Sequence, residues 1–220
     1  MKRWFITGTD TEIGKTVVAS ALIRHLTGQG HRVAGMKPVA SGCVSTSDGL
    51  RNEDALSLIA AANVDLPYEL VNPYVFEPAI APHIAAQEAG QSIDIDKIRL
   101  CADKIDADYL VIEGVGGWCV PLGNGFLLPE LVGAIADEVI LVVGMRLGCI
   151  NHGLLTAGRI LQDGMKLKGW IANYVDPDMQ VQSENLETLQ ALMPCPLLGV
   201  LPWTNQIQQG PVLELQTKDI

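Results

Sequence analysis

The stretch Gly8-Thr9-Asp10-Thr11-Glu12-Ile13-Gly14-Lys15-Thr16 decides the fold. A short apolar run, residues 4–7, stands before it. An amphipathic stretch, residues 15–27, stands after it, with Val18, Leu22 and Leu26 in helical register beside Ala19 and Ile23. A strand, a glycine-bearing loop and a helix opening on Gly-Lys-Thr together form a phosphate cradle. The helix start offers unpaired backbone N–H groups and the positive end of its dipole. Gly14 lets the backbone come close to an anion, Lys15 adds a point charge, and the Thr16 hydroxyl is placed to ligate Mg²⁺. Thr11, Glu12 and Ile13 lead the chain around the same anion. The loop is irregular. Five residues, 9–13, separate its glycines where four are usual, and Thr9 holds the place of the usual first glycine. A chance Gly-Lys-Thr at a helix start is the plainer alternative, and the strand and helix on either side argue against it.

Working outward, short apolar runs recur at 33–39, 109–112, 139–143, 169–173 and 197–201. They are rich in Val, Ile and Leu, as strands buried on both faces are. Helical patterns lie between them at 54–62, 94–105, 129–136, 152–162 and 183–192. Alternating strands and helices predict one α/β domain over residues 1–220, a doubly wound, mostly parallel sheet with helices on both faces. Residues 40–52 and 72–82 carry no clear element and read as substrate loops or as ordinary surface loops.

The bulk properties agree with that class and exclude others. Apolar residues make up 48% and aromatics only 5%, a mix suited to helices on a parallel sheet. The net charge of −10 disfavours nucleic acid and anionic membrane surfaces as partners. A polyanion must therefore find locally basic ground. The five cysteines are widely spaced without a CxxC pair, which predicts neither disulfides nor zinc and suits a reducing cytoplasm. No leader is expected from the short apolar run near Met1, and no run approaches the roughly 18 residues of a membrane span.

Three further residues belong with the phosphate site. Glu113 ends the run Tyr109-Leu110-Val111-Ile112, at the strand edge where α/β ligands bind, and Gly114-Val115-Gly116-Gly117 follows it. It is read as a Mg²⁺ ligand rather than an idle strand-end acid, because the ion demands oxygen donors. Asp54, in Arg51-Asn52-Glu53-Asp54, is equally readable as a metal ligand or as a helix-start acid. Lys37 stands inside an apolar run, where a lysine needs an anionic partner. It is read as a second phosphate-binding charge beside Lys15, with a snorkelling edge lysine as the alternative.

These pieces, taken together, resemble the dethiobiotin synthetases. The resemblance runs through Gly8–Thr16, Lys37-Pro38-Val39-Ala40-Ser41-Gly42, Gly49-Leu50-Arg51-Asn52-Glu53-Asp54-Ala55-Leu56 and Pro82-His83. It continues through Glu113-Gly114-Val115-Gly116-Gly117-Trp118, Gly148-Cys149-Ile150-Asn151-His152, Gly169-Trp170-Ile171-Ala172-Asn173 and Pro196-Leu197-Leu198-Gly199. The ordered set spans about nine-tenths of the chain. It implies a P-loop NTPase-like fold and closure of a ureido ring on 7,8-diaminopelargonate with CO₂, using ATP as co-substrate, in biotin synthesis. It implies Lys15 and Lys37 as catalytic charges and Mg²⁺ held by Thr16, Asp54 and Glu113. Nucleotide contacts would come from residues 11–16 and Gly116, with Asn173 on adenine and Pro202 and Trp203 nearby. Ser41 would meet the diamine, and the family works as a homodimer. Gly148, Cys149, Ile150 and Asn151 would receive the substrate carboxylate across the dimer interface. The main rival is a P-loop switch ATPase of the ParA/MinD kind. Such proteins carry an additional lysine five positions before the one in Gly-Lys-Thr, and Asp10 stands there in this chain.

Overall fold

The computed structural model describes residues 1–203 and 214–215. Strand β1 (Lys2–Gly8) leads through the phosphate loop into helix α1 (Lys15–Gly28), and β2 (Val33–Met36) follows. Short strands β3 (Val39–Ser41), β4 (Val44–Thr46) and β5 (Gly49–Arg51) come next, then α2 (Glu53–Ala61). The single turn α3 (Tyr68–Val71), β6 (Tyr74–Phe76), α4 (Pro82–Glu88) and α5 (Ile95–Asp103) lead to β7 (Tyr109–Glu113). Strands β8 (Pro121–Gly123) and β9 (Phe126–Leu127), helix α6 (Leu128–Ile135) and β10 (Glu138–Met145) follow. Then come α7 (Cys149–Gln162), β11 (Leu167–Tyr174), α8 (Gln182–Leu192), β12 (Leu197–Leu201) and β13 (Glu214–Leu215).

The main sheet has the order β13-β12-β11-β10-β1-β7-β2. Every pair is parallel except β12–β13. Alternate side chains of each buried strand enter opposite layers. Trp4, Ile6, Ile140 and Val142 pack with Val18, Leu22 and Leu26 of α1 and Leu58 of α2. Phe5, Leu141 and Val143 pack with Ile98 of α5, Leu131 of α6, Ile160 of α7 and Leu189 of α8. Each fully buried aliphatic side chain contributes about 1.5–3 kcal/mol. The sheet is thus covered on both faces, as the sequence predicts.

The topology places the site. From β1 the chain runs through α1 to β2, beyond β7; from β10 it runs through α7 to β11 on the other side. The loops after β1 and β10 therefore diverge, while the loops after β1, β2 and β7 gather at the same carboxyl edge around one cleft.

Three local readings differ from expectation. The strand over 33–39 stops at Met36, because Pro38 has no N–H for the ladder. The Lys37 N–H turns to the Val71 carbonyl at 2.8 Å, and Val39–Ser41 pairs instead with β6. Helix α7 begins three residues before 152. Gly148 adopts φ 97 there, and the His152 N–H reaches the Gly148 carbonyl at 3.1 Å. Helices α3 and α4 and strand β6 lie in or beside stretches without a readable pattern, because elements of three to seven residues are too short to show a period.

Candidate active site

The phosphate loop folds tightly around its own residues. Gly14 sits at φ 78, and a Cβ there would lie 2.2 Å from the Asn173 side-chain nitrogen. Only glycine allows that approach. The Asn173 amide donates to the Ile13 carbonyl at 2.7 Å, tying β11 to the loop. The Ile13 side chain is fully buried, so the loop presents only its backbone there. Lys15 Nζ donates to the Asp10 carbonyl at 2.7 Å. Burial pushes the Lys15 ammonium down to about 8, and the nearby Lys37 charge adds to the push.

Next to this loop, four side chains meet, from α1, α2, β7 and the segment between β2 and β3. The Thr16 hydroxyl lies 2.7 Å from Asp54 Oδ1 and 2.9 Å from Glu113 Oε1. Lys37 Nζ lies 2.6 Å from Glu113 Oε1, 2.9 Å from Asp54 Oδ2 and 3.0 Å from the Gly114 carbonyl. Burial opposes the Lys37 charge, but Glu113 and Asp54 outweigh it and raise its pKa. Burial lifts the Glu113 carboxyl above the ordinary range, although Lys37 pulls the other way. Burial also works to raise Asp54, yet the attraction of Lys37 leaves it below the ordinary range.

Local structure explains why these groups point inward. Asn52, not Asp54, caps α2, its side chain accepting the Ala55 N–H at 3.2 Å. Asp54 lies in the first turn with its carboxylate free for Thr16 and Lys37. Glu113 ends β7 at the carboxyl edge, where Gly114 donates to the Ile6 carbonyl at 3.0 Å. Sequence reading missed Asn72, which is buried and donates to the Lys37 carbonyl at 2.6 Å. Tyr68 donates to Asn72 at 2.9 Å and accepts from the Asn52 N–H at 2.8 Å, so one network fixes both Lys37 and the α2 cap. A buried asparagine amid prolines gives no pattern that announces this.

A cleft of about 930 Å³ opens over the cluster. Thr11, Glu12, Gly14, Lys15, Thr16, Asp54, Glu113 and Gly116 line it, with Lys37 and Ser41. Residues 79–82, from one of the two unassigned loops, line it as well. Among the described residues, the Ser41 hydroxyl and Glu113 Oε2 are buried with no hydrogen-bond partner. Ile13, Asn173, Pro202 and Trp203 are not among its lining residues; Pro202 and Trp203 are exposed. Gly148, Cys149, Ile150 and Asn151 stand apart from the cleft at the head of α7, with Cys149 buried and Asn151 exposed. Cys43 is also buried, and burial raises both thiols, which suits packing rather than nucleophilic attack.

Two lysines and a glycine-bearing loop at a helix start are groups chemically suited to a polyphosphate. A family model described as AAA domain matches residues 2–210. The ATP-dependent dethiobiotin synthetase of Pseudomonas paraeruginosa is 49% identical over 205 residues, covering 92% of this chain and 90% of that protein. The Yersinia pestis enzyme of the same name is 46% identical over 213 residues, covering 96% and 89%. This chain belongs to the ATP-dependent dethiobiotin synthetase family.

As a dethiobiotin synthetase of the P-loop class, it is an ATP-dependent enzyme acting on small molecules. Among solved structures, the Aquifex aeolicus MinC:MinD cell division complex aligns with a TM-score of 0.59 at 18% identity, covering 93% of this chain and 82% of that one. Pyrococcus horikoshii MinD aligns at 0.58, also at 18% identity, covering 96% and 85%. That likeness shows the fold alone. Where the switch ATPases carry their additional lysine, Asp10 instead pairs with Arg146. No helix among the described residues is long and apolar enough to cross a membrane.

Proposed function

We propose that this synthetase carboxylates 7,8-diaminopelargonate with CO₂ and closes the ureido ring to dethiobiotin, releasing ADP and phosphate in an Mg²⁺-dependent reaction. The observation that carries the reading is the meeting of Thr16, Lys37, Asp54 and Glu113 beside the phosphate loop. An all-oxygen set of one hydroxyl and two carboxylates suits Mg²⁺, and the unpartnered Glu113 Oε2 leaves donor capacity for it. Thr16, Asp54 and Glu113 would hold the ion. When bound, Mg²⁺ would neutralise charge on the β- and γ-phosphates.

The chain's own residues do the positioning. Residues 11–16 cradle the phosphates with backbone N–H groups, and Lys15 gives up the Asp10 carbonyl for a phosphate oxygen. Ser41 orients the diamine or its carbamate. One amine takes CO₂ to form a carbamate, whose oxygen attacks the γ-phosphorus and displaces ADP. The second amine attacks the carbamoyl carbon of the resulting carbamic–phosphoric anhydride, and phosphate leaves as the ring closes. Lys37 stabilises the charge that gathers on the transferred phosphoryl group. The reaction asks the protein for placement and charge, not for a nucleophile. Asn173 holds adenine through the part of its amide left free by Ile13, near Pro202 and Trp203.

The working unit in this reading is a cytoplasmic homodimer, in which residues 148–151 of one protomer receive the other's substrate carboxylate. A helix N-terminus suits a carboxylate, and the neighbouring Leu147 and Leu155 are 93% and 66% exposed. Phosphate release in the presence of diamine, bicarbonate, Mg²⁺ and ATP tests the reaction. Loss of release on omitting any one supports it; release that ignores the diamine contradicts it.

A further inference from the structure

The ion pair between Asp10 and Arg146 joins the ends of two neighbouring strands. Asp10 follows β1, within the phosphate loop; Arg146 follows β10, at the turn into α7. Each oxygen of Asp10 accepts a different donor, two of them from within the loop or its helix start and one from outside. Its Oδ1 accepts the Thr11 N–H at 2.8 Å, its carbonyl accepts Lys15 Nζ at 2.7 Å, and its Oδ2 accepts the Arg146 guanidinium. The Arg146 carbonyl in turn accepts the Cys149 N–H at 3.0 Å, closing the turn in which Gly148 stands at φ 97. One side-chain contact thus ties the loop that grips phosphate to the turn that opens α7.

The pair does little for the fold as a whole. Its side chains are 41% and 48% exposed, and pairs so placed add little to global stability. No step of the reaction needs a charge from either residue. The loop it holds is conformationally costly, because Glu12 is a non-glycine residue at φ 57, between Asp10 and Gly14. A contact that keeps such a loop in place matters most to whatever binds it.

We propose that Arg146 is a positioning residue that couples occupancy of the phosphate loop to occupancy of the α7 turn. Nucleotide phosphates fix the loop with Asp10 in place. Asp10 fixes Arg146, and Arg146 fixes residues 146–149, so a ligand arriving at the turn meets it already ordered. Linkage makes the effect reciprocal: the turn ligand tightens nucleotide binding by the same factor. In the homodimer the turn serves the partner's substrate, so the coupling runs between the two active sites. The identity of the second ligand as the diamine rests on the function proposed above.

The test is calorimetric binding of the diamine to the whole protein, with and without a saturating Mg²⁺ complex of a non-hydrolysable ATP analogue. Wild type is expected to bind the diamine about fivefold tighter with the analogue present. Arg146→Gln should bring that ratio to about one, Asp10→Asn should lower it, and Arg146→Lys should keep most of it. Melting temperatures of the Arg146 variants within about 2 °C of wild type separate coupling from unfolding. A ratio of one in wild type, or an unchanged ratio in Arg146→Gln, overturns the proposal while leaving diamine-dependent turnover intact. Failure of wild type to bind diamine at all removes the functional reading and this proposal with it.

Discussion

The Lys37 ammonium has three protons to donate, and three oxygens surround it: Glu113 Oε1, Asp54 Oδ2 and the Gly114 carbonyl. In the proposed reaction Lys37 exchanges these partners for the γ-phosphate, so turnover is expected to depend on it. Lys37→Gln keeps a polar group but removes the charge, so kcat should fall about 10²–10³-fold with nucleotide affinity little changed. Steady-state kinetics and nucleotide titration measure the two separately; an unchanged kcat removes Lys37 from the chemistry. Glu113→Ala leaves a buried lysine short of a partner, so urea unfolding should show a loss of about 3–5 kcal/mol, alongside weakened Mg²⁺ binding and lost activity. Lys15 gives a pH signature. Its ammonium titrates at about 8 in the free protein, and bound phosphate favours the charged form. ATP affinity is therefore complete below pH 8 and declines as pH rises above it, with proton uptake on binding between the free and bound pKa values. Calorimetry at pH 8.5 in buffers of different ionisation enthalpy should detect that uptake; zero uptake contradicts it. Lys15, Thr16, Lys37 and Glu113 were legible in the sequence because each breaks a local rule: a charge in an apolar run, an acid at a strand end, a Gly-Lys-Thr at a helix start. Asp54 was ambiguous because acids at helix starts are common, and only the neighbouring Asn52 cap resolves why its carboxylate is free. Asn72 and the Asp10–Arg146 contact join residues 35 and 136 positions apart and leave no local trace.

At the scale of elements, the strands of the parallel sheet could be read because they are buried on both faces and carry unbroken apolar runs. The small strands could not. Val39–Ser41 pairs with Tyr74–Phe76 only because Pro38 ends the first ladder, and nothing local names the partner. The packing of α2 on β2 gives a test that links fold and site. A Cβ at Gly35 would stand 2.7 Å from Leu58 Cβ and 3.3 Å from the Leu58 carbonyl. Backbone cannot yield as a flexible side chain does, so Gly35→Ala should cost about 1–3 kcal/mol in chemical unfolding. It should also displace α2, and Asp54 with it, weakening Mg²⁺ binding although Gly35 is none of the proposed ligands. A variant of native stability and native Mg²⁺ affinity would show that α2 is not held by this contact.

The whole molecule carries a net charge of −10 yet gathers Lys15, Lys37 and Arg146 at one edge of its sheet. At that edge Asp10, Asp54 and Glu113 balance these three charges, so a polyanion there would depend on the loop's backbone N–H groups and on Mg²⁺. The doubly wound order was legible as a class from the alternation of elements, but the place of β1 between β10 and β7 is a pairing of distant segments that the sequence does not spell out. The homodimer reading predicts a sedimentation mass of twice the 23.6 kDa chain, with a monomer as the opposing result. In the proposed function a single centre, built by Thr16, Lys37, Asp54 and Glu113, acts on the end of the triphosphate. A crystal structure with Mg²⁺, a non-hydrolysable ATP analogue and diaminopelargonate tests it most directly. The account predicts Mg²⁺ about 2.1 Å from oxygens of Thr16, Asp54 and Glu113, with Lys37 Nζ turned to the γ-phosphate. An ion bound elsewhere, or Lys37 still held between the two carboxylates with the nucleotide in place, would contradict it.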